Sequence, residues 1–433
     1  MNNMHIAHHS SEGKTKYIIR AVNHYCAGLD VHRDFVCVTT LCGKDDDISM
    51  DYREFRTVKR DLLQLRDWLL SKNITVAGIE STGKYWYPIY NAFEGIIHLN
   101  VYNSRHIKNI PGRKTDKSDS EWIARNTRYG ELKASFIPSS RIRDTRMIAR
   151  TRKSVLQIRG TCRQIVHGYL ESSSIKIGSV LSDVFGVSGQ ELLHLLVSDS
   201  AISPGKIEQC LHGSLKDKSE EVVIAMDGYV NDVHKSLIRS MLKNEETLTL
   251  RIKSLECDLK RQLITNADER HVLNLLTAIP GVSELSALLI LAEIGFDLSS
   301  FPNEKQFCSW AGLVPGKHES AGKNKTGKIH SRACYMRTLL VELSLSASRV
   351  KNSFYSAKFA SLRARIEPQK AIIAIAHKIA KAIYVIIKYH QPYEELGVQR
   401  IQQDMYQRDI NTLRRLQQRL GVETIISQLS GTP

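Results

Sequence analysis

The sequence predicts a mixed α/β domain over residues 24–138, followed by a chain that is helical almost to its end. Three observations predict it. Short β-rich apolar runs alternate with helical spacing up to Tyr129. From Ser139 onward the spacing is helical and the segments lengthen. Isolated carboxylates stand at the ends of the apolar runs, in a chain whose formal net charge is +16.

Met1–Lys16 is polar and histidine-rich and lacks the apolar centre of a signal peptide, so residues 1–23 read as a disordered tail. His24–Val31 and Phe35–Leu41 flank the polar turn His32-Arg33-Asp34 and read as a hairpin. Lys44–Asp51 reads as a charged loop. Val58–Ser71 has helical spacing, with Leu62, Leu65, Leu69 and Leu70 assigned to one face. Ile74–Ile79 is a short strand ending at Glu80, Tyr85–Phe93 a helix, Ile96–Tyr102 a strand and Lys117–Tyr129 a helix. The order is β-β-(α)-β-α-β-α.

Arg141–Ser172 and Glu220–Thr265 read as long helices separated by shorter helical material, Ile175–Ser219. An antiparallel coiled-coil hairpin and a plain helical bundle both fit that pattern. The region 139–268 is therefore helical with an insert. Residues 269–395 form a further, mostly helical region, and 396–433 a helical tail. Leu275–Ser283 joins two helical stretches through Ile279-Pro280-Gly281-Val282, like the turn of a helix-hairpin-helix element, where backbone N–H groups face a phosphate. Ala371–Tyr389 is the most apolar stretch, but His377, Lys378, Lys381 and Lys388 interrupt it, so it reads as a buried helix and not a membrane span.

Lys and Arg outnumber Asp and Glu by 61 to 45, a balance suited to a phosphate backbone. The eight cysteines are scattered with no Cys-x-x-Cys pair, which argues against a zinc site or a disulfide framework and for reduced thiols in a cytoplasmic setting. Arg141, Arg143, Arg146, Arg150, Arg152, Lys153 and Arg159 crowd one helical run, either as a solvated face or as a nucleic-acid track. Trp86, Trp122 and Trp310 read as core, and Glu342 as structural.

Asp30, Glu80, Asp116 and Asp119 carry the chemistry. Phosphodiester reactions need the attacked phosphate neutralised and a nucleophile activated, and two divalent ions about 4 Å apart do both. Asp116 and Asp119 are three residues apart and share a helix face. Asp30 and Glu80 close the apolar runs Ala27-Gly28-Leu29-Asp30 and Val76-Ala77-Gly78-Ile79-Glu80. Together they read as a carboxylate cage for Mg²⁺, with Mn²⁺ as its substitute. Ser118-x-x-Glu121 has the form of a capping box, which would start the helix at Ser118 and leave Asp116 in the cap loop. A second feature is the loop Gly316–Lys328, in which glycines and lysines interleave around the single Ser320. The expected nucleic-acid contacts are Lys84, Arg113, Lys114, Gly281, Lys317, Lys323, Lys325, Lys328 and Arg332.

Six ordered motifs resemble the insertion-sequence-110 family of transposases, over residues 24–390. They are Gly28-Leu29-Asp30-Val31, Ile79-Glu80-Ser81-Thr82-Gly83-Lys84-Tyr85-Trp86 and Gly112-Arg113-Lys114-Thr115-Asp116-Lys117-Ser118-Asp119, then Ile279-Pro280-Gly281-Val282, Ala311-Gly312-Leu313-Val314-Pro315 and His318-Glu319-Ser320. The resemblance implies an RNase H-like, RuvC-type N-terminal domain and a C-terminal transposase domain. It implies metal ligation by Asp30, Glu80, Asp116 and Asp119, with Ser320 as a nucleophile forming a transient 5′-phosphoserine bond. It also implies double-stranded donor and target DNA, a structured bridge RNA that pairs with both, and a homo-oligomer, dimer to tetramer, in which acids and serine come from different protomers. Ser283 stands where the family's hairpin has a second glycine, which weakens the phosphate-binding inference there. Two other readings stand beside this one: a RuvC-type nuclease in which activated water attacks, and a non-catalytic nucleic-acid scaffold.

Overall fold

The computed structural model describes residues 6–9, 15–18, 20–44, 47–81, 83–103, 116–198, 202–315, 318–320, 323–325 and 334–420. The chain divides into two compact units, Met1–Ile137 and Pro138–Pro433.

The first unit opens with β1 (Ile6–His9) and β2 (Thr15–Ile18), paired antiparallel. The expectation of a wholly disordered tail is corrected here: Ile6, Thr15, Tyr17 and Ile18 are β-formers, and cross-strand pairing orders them. Next come β3 (Tyr25–Val31), β4 (Phe35–Cys42), β5 (Ser49–Arg56), α1 (Lys59–Ser71), β6 (Val76–Glu80), α2 (Trp86–Phe93), β7 (His98–Tyr102) and α3 (Asp116–Tyr129). The sheet order is β5-β4-β3-β6-β7; β3, β4 and β5 form an antiparallel meander, and β6 and β7 run parallel to β3. This mixed five-stranded sheet fits an RNase H-like α/β domain.

Strand β5 takes Ser49–Asp51 out of the expected loop. It is an edge strand carrying Asp51, Arg53, Glu54 and Arg56, so no apolar alternation betrays it. Its inward side chains are nevertheless used: the Arg53 guanidinium lies 4.8 Å from the Trp68 ring centre and Phe55 packs on the same ring. Alternation sorts the central strands into two faces. Ala27, Leu29, Val31, Val36, Val38, Ala77 and Ile79 pack with Leu62, Leu65 and Leu69 of α1 and Ile89 and Phe93 of α2. Leu70 is exposed, because it lies about 100° around the helix from Leu69. The opposite face of the sheet, with Cys26, Gly28 and Leu41, takes α3.

Among its described residues, the second unit is helical apart from one small hairpin. Helices α4 (Ser140–Ser172), α5 (Ile177–Val180), α6 (Val187–Val197), α7 (Pro204–Gln209), α8 (Ser219–Met226) and α9 (Asp232–Leu263) come first, with a 3₁₀ turn over Gly213–Lys218. Then follow α10 (Ala267–Thr277), α11 (Glu284–Ile294), α12 (Glu304–Trp310), α13 (Tyr335–Ala347), α14 (Phe354–Arg363), α15 (Pro368–Tyr389) and α16 (Gly397–Leu420). Strands β8 (His318–Ser320) and β9 (Lys323–Lys325) precede α13. No helix among the described residues is long and apolar enough to cross a membrane. In α15, Ile375, Ile379 and Ile383 are fully buried and Lys378, Lys381 and Lys388 lie off that face.

The long helix expected over Glu220–Thr265 is two helices. Gly228 breaks it where a side chain would strike the Ser173 carbonyl, whose oxygen accepts from Tyr229 N at 2.7 Å, and Asn231 caps α9 by accepting from His234 N. Helices α4 and α9 run antiparallel, shown by cross-bonds whose members ascend along one helix and descend along the other. Arg163 bonds Glu245 at 3.0 Å, Arg159 bonds Thr249 at 3.2 Å, Arg152 bonds Glu256 at 2.7 Å and Arg141 bonds the Leu263 carbonyl at 3.0 Å. The insert between them closes over the tip of the hairpin with a core of its own, including Leu170, Leu193, Leu196, Val222 and Ile238.

The arginine run of α4 is thus neither a solvated face nor an open nucleic-acid track. Arg141 also pairs with Glu269 of α10, Arg146 and Arg150 pair with Glu293 of α11, Arg143 donates to the Pro138 carbonyl, and the Lys153 ammonium lies 4.8 Å from the Tyr335 ring centre. These bonds join the region expected at 139–268 to that expected at 269–395 within one unit. Glu293 is 2% exposed and depends on both arginines to be buried as an anion. Replacing it by alanine removes the carboxylate that Arg146 and Arg150 share at the helix interface. Urea unfolding followed by circular dichroism should show Glu293→Ala losing about 3–5 kcal/mol; a loss below about 1 kcal/mol would class the pair with solvent-exposed bridges.

Candidate active site

Helix α3 approaches the sheet more closely than ordinary side chains allow. A Cβ on Gly28 would lie 2.1 Å from Ala124 N and 2.2 Å from Ser120 O, and one on Gly78 would lie 2.2 Å from Thr127 Oγ1. Glycine at both positions lets the helix backbone rest on β3 and β6. Short polar contacts fasten it there: Thr39 Oγ1 and Ser120 Oγ are 2.8 Å apart, Tyr102 Oη and Thr127 Oγ1 are 3.2 Å apart, and the Cys26 thiol donates to the Ala124 carbonyl. Buried Arg128 donates to the carbonyls of His24 and Gly43, both at 3.0 Å, fixing the far end of α3.

Each of those glycines stands two residues before an acid on the same strand face: Gly28 before Asp30, Gly78 before Glu80. Leu29 pairs with Ile79, so Asp30 and Glu80 are the next residues along adjacent parallel strands. Helix α3 begins at Asp116, which puts Asp116 and Asp119 in its first turn. The capping-box start at Ser118 is corrected: the helix takes in Asp116 and Lys117 ahead of it, and carboxylates in a first turn are stabilised by the helix dipole.

Among the described residues, Asp30, His32 and Asp116 form a group of three whose ligand atoms lie within 4.8 Å of one another. His32 Nε2 is 3.2 Å from Asp30 Oδ2 and 3.5 Å from Asp116 Oδ1. Asp119 is close enough to act on Asp30 through its charge, but Asp119 and Glu80 stand outside that tight group. Burial pushes the Asp30 carboxyl above the ordinary carboxylate range, His32 pulls it down, and the charges of Asp119 and Asp116 push it up again. Two carboxylates joined by an imidazole, beside a helix N-terminus, suit a divalent cation and a phosphate group.

His32 went unread as a site residue, although it follows Asp30 by two positions; Gly28 and Gly78, each two residues before an acid, were a further signal. Lys84 is exposed in the turn between β6 and α2. Gly281 has φ +83°, as the expected turn requires, and a Cβ there would lie 2.5 Å from Ala347 N, while Ser283 accepts from Ser286 N to cap α11. Ser320 is the last residue of β8 and pairs with Lys323 of β9, and His318 pairs with Lys325. Arg113, Lys114, Lys317, Lys328 and Arg332 lie outside the described residues.

Two family profiles match this chain in succession. A DEDD transposase profile of the IS110 type covers residues 27–174, and the profile described as "Transposase IS116/IS110/IS902 family" covers 273–358. The first match spans Asp30, Glu80, Asp116 and Asp119, and the second spans Ser320. The chain belongs to the IS110 family of DEDD transposases. The family's DEDD character implies use of a divalent metal. Among curated relatives, a protein of Pseudomonas aeruginosa named "Probable family 20 transposase" is 28% identical over 161 residues, 36% of this chain and 46% of that protein. The pilin gene-inverting protein of Moraxella bovis is 28% identical over 186 residues, 37% of this chain and 56% of that protein. The chain spans about half the length of these relatives.

The packing at Gly28 yields a test that needs no substrate. Gly28→Ala forces α3 off the sheet, so it should cost about 3 kcal/mol in urea unfolding. It should also weaken Mn²⁺ binding in calorimetry, because Asp116 and Asp119 ride on the displaced helix.

Proposed function

We propose that this protein is a DNA transposase/recombinase of an insertion sequence, with its metal centre at Asp30, Glu80, Asp116 and Asp119. The observation that carries the reading is the meeting of Asp30 and Asp116, 86 positions apart, at the N-terminus of a helix lying on an RNase H-like sheet. A net charge of +16 and the name of the Moraxella relative, which inverts a pilin gene, support DNA as substrate.

Asp30 and Asp116 would hold a divalent ion, Mg²⁺ or Mn²⁺, with Glu80 and Asp119 as further ligands. The bound ion supplies charge neutralisation of the attacked phosphate and activation of the attacking hydroxyl. Ser320 attacks phosphorus through its side-chain oxygen, the bond to the 3′ oxygen breaks, and the DNA 3′ end leaves as a hydroxyl. The resulting 5′-phosphoserine ester retains the energy needed for a second 3′-hydroxyl to displace the serine and rejoin the strand. Arg113, Lys114, Lys317, Lys323, Lys325, Lys328 and Arg332 track the DNA backbone, with exposed Lys84 and the Gly281 turn, of helix-hairpin-helix type, as further phosphate contacts. Guidance by a structured bridge RNA pairing with donor and target, and assembly from dimer to tetramer with acids and serine from different protomers, follow from the resemblance of the six motifs.

The serine is tested with a DNA substrate and denaturing gels. Ser320→Ala should abolish the covalent protein–DNA adduct and leave DNA affinity within about twofold; a persisting adduct would remove Ser320 from the reaction, and cleavage with no adduct in the unmodified protein would favour the water-attacking nuclease. Asp119→Asn should lower strand cleavage by at least about a hundredfold at saturating Mg²⁺, and undiminished recombination would take Asp119 out of the centre.

A further inference from the structure

The feature that the four-acid scheme leaves unused is His32. Its imidazole is not a loose surface group. The backbone N–H of His32 donates to the Phe35 carbonyl at 2.9 Å, and the ring stacks on Phe35 with centres 4.6 Å apart and planes inclined by 23°. The turn between β3 and β4 therefore aims Nε2 at the two carboxylates. An octahedral ion with ligands at about 2.1 Å places adjacent donor atoms about 3 Å apart. The separations of His32 Nε2 from Asp30 Oδ2 and from Asp116 Oδ1 are 3.2 and 3.5 Å, close to that spacing. Asp30 itself is 8% exposed, so the group gathers around a carboxylate largely withdrawn from water.

We infer that His32 is a nitrogen ligand of the metal centre and sets its ion preference, favouring a transition ion such as Mn²⁺ over Mg²⁺. The inference rests on the reading of Asp30 and Asp116 as metal ligands. Mg²⁺ takes oxygen ligands and gives up its water reluctantly, so an imidazole adds little to its binding. Transition ions accept imidazole and carboxylate in one shell, so the same imidazole adds a bond for them. His32 thereby adds a nitrogen donor to an oxygen cage and widens its preference for Mn²⁺ over Mg²⁺.

The test uses the full chain with Mn²⁺ alone and Mg²⁺ alone. Calorimetry should give the unmodified protein a preference for Mn²⁺ of at least about tenfold. Pulsed electron paramagnetic resonance of the bound Mn²⁺ should show coupling to a ¹⁴N nucleus, and labelling histidine with ¹⁵N should change the coupling frequencies. His32→Ala should lose the nitrogen coupling and reduce the preference to within about threefold while the thermal transition stays in place. Coupling retained in His32→Ala would come from another of the 16 histidines and would overturn the assignment. Mn²⁺ bound by the unmodified protein with no nitrogen coupling would overturn it as well, while leaving the carboxylate centre standing. If Asp30→Asn binds Mn²⁺ as tightly as the unmodified protein, the metal centre itself is misplaced and the inference falls with it.

Discussion

The close approach of helix 116–129 to the sheet at Gly28 and Gly78 is the constraint on which the candidate centre depends. Any side chain at either position would strike the helix, at backbone in one case and at the Thr127 hydroxyl in the other. Because the helix lies on the sheet, its first turn falls at the end of β3, where Asp30 emerges. Its polar contacts, Ser120 to Thr39, Thr127 to Tyr102 and Arg128 to two carbonyls, are ones that an apolar helix would not make. Small and polar residues thus serve proximity where larger apolar ones would serve burial. The apolar core of the unit lies on the other face, against helices 59–71 and 86–93.

Positive charge in this chain has two uses that composition does not separate. In the helical unit, arginines of helix 140–172 are bound to Glu245, Glu256, Glu269 and Glu293 and to backbone carbonyls. They bring a long helix, its antiparallel partner and the helices that follow into one body. A buried carboxylate such as Glu293 stabilises nothing alone; it is tolerated because two guanidinium groups answer it. A dense basic run on a long helix is therefore poor grounds for a nucleic-acid track unless the acids of its neighbours are counted first.

Helices and central strands were legible because their patterns are strong: leucines on helix 59–71, and largely apolar runs on β3, β4 and β6. The edge strand 49–56 was not, since an edge half open to water carries charges on both faces. The break at Gly228 was hidden because its cause is a carbonyl of Ser173, more than fifty positions away. Within the candidate centre the four acids stood out by their isolation in a basic chain. The capping-box pattern at Ser118 misplaced the helix start by two residues, because a local motif says nothing of the sheet on which the helix rests.

By itself the sequence determined the α/β-then-helical order, the four acids, the serine between lysines and, through six ordered motifs, the family. Those are properties of residue type and spacing along the chain, and they survive without coordinates. Tertiary structure alone decided which side chains meet. It gathered Asp30 and Asp116 tightly, left Glu80 and Asp119 a step outside, and placed His32 between the first two. The physical reason is that such meetings depend on strand register and on how closely a helix can settle onto a sheet, and both are set by residues far apart in sequence.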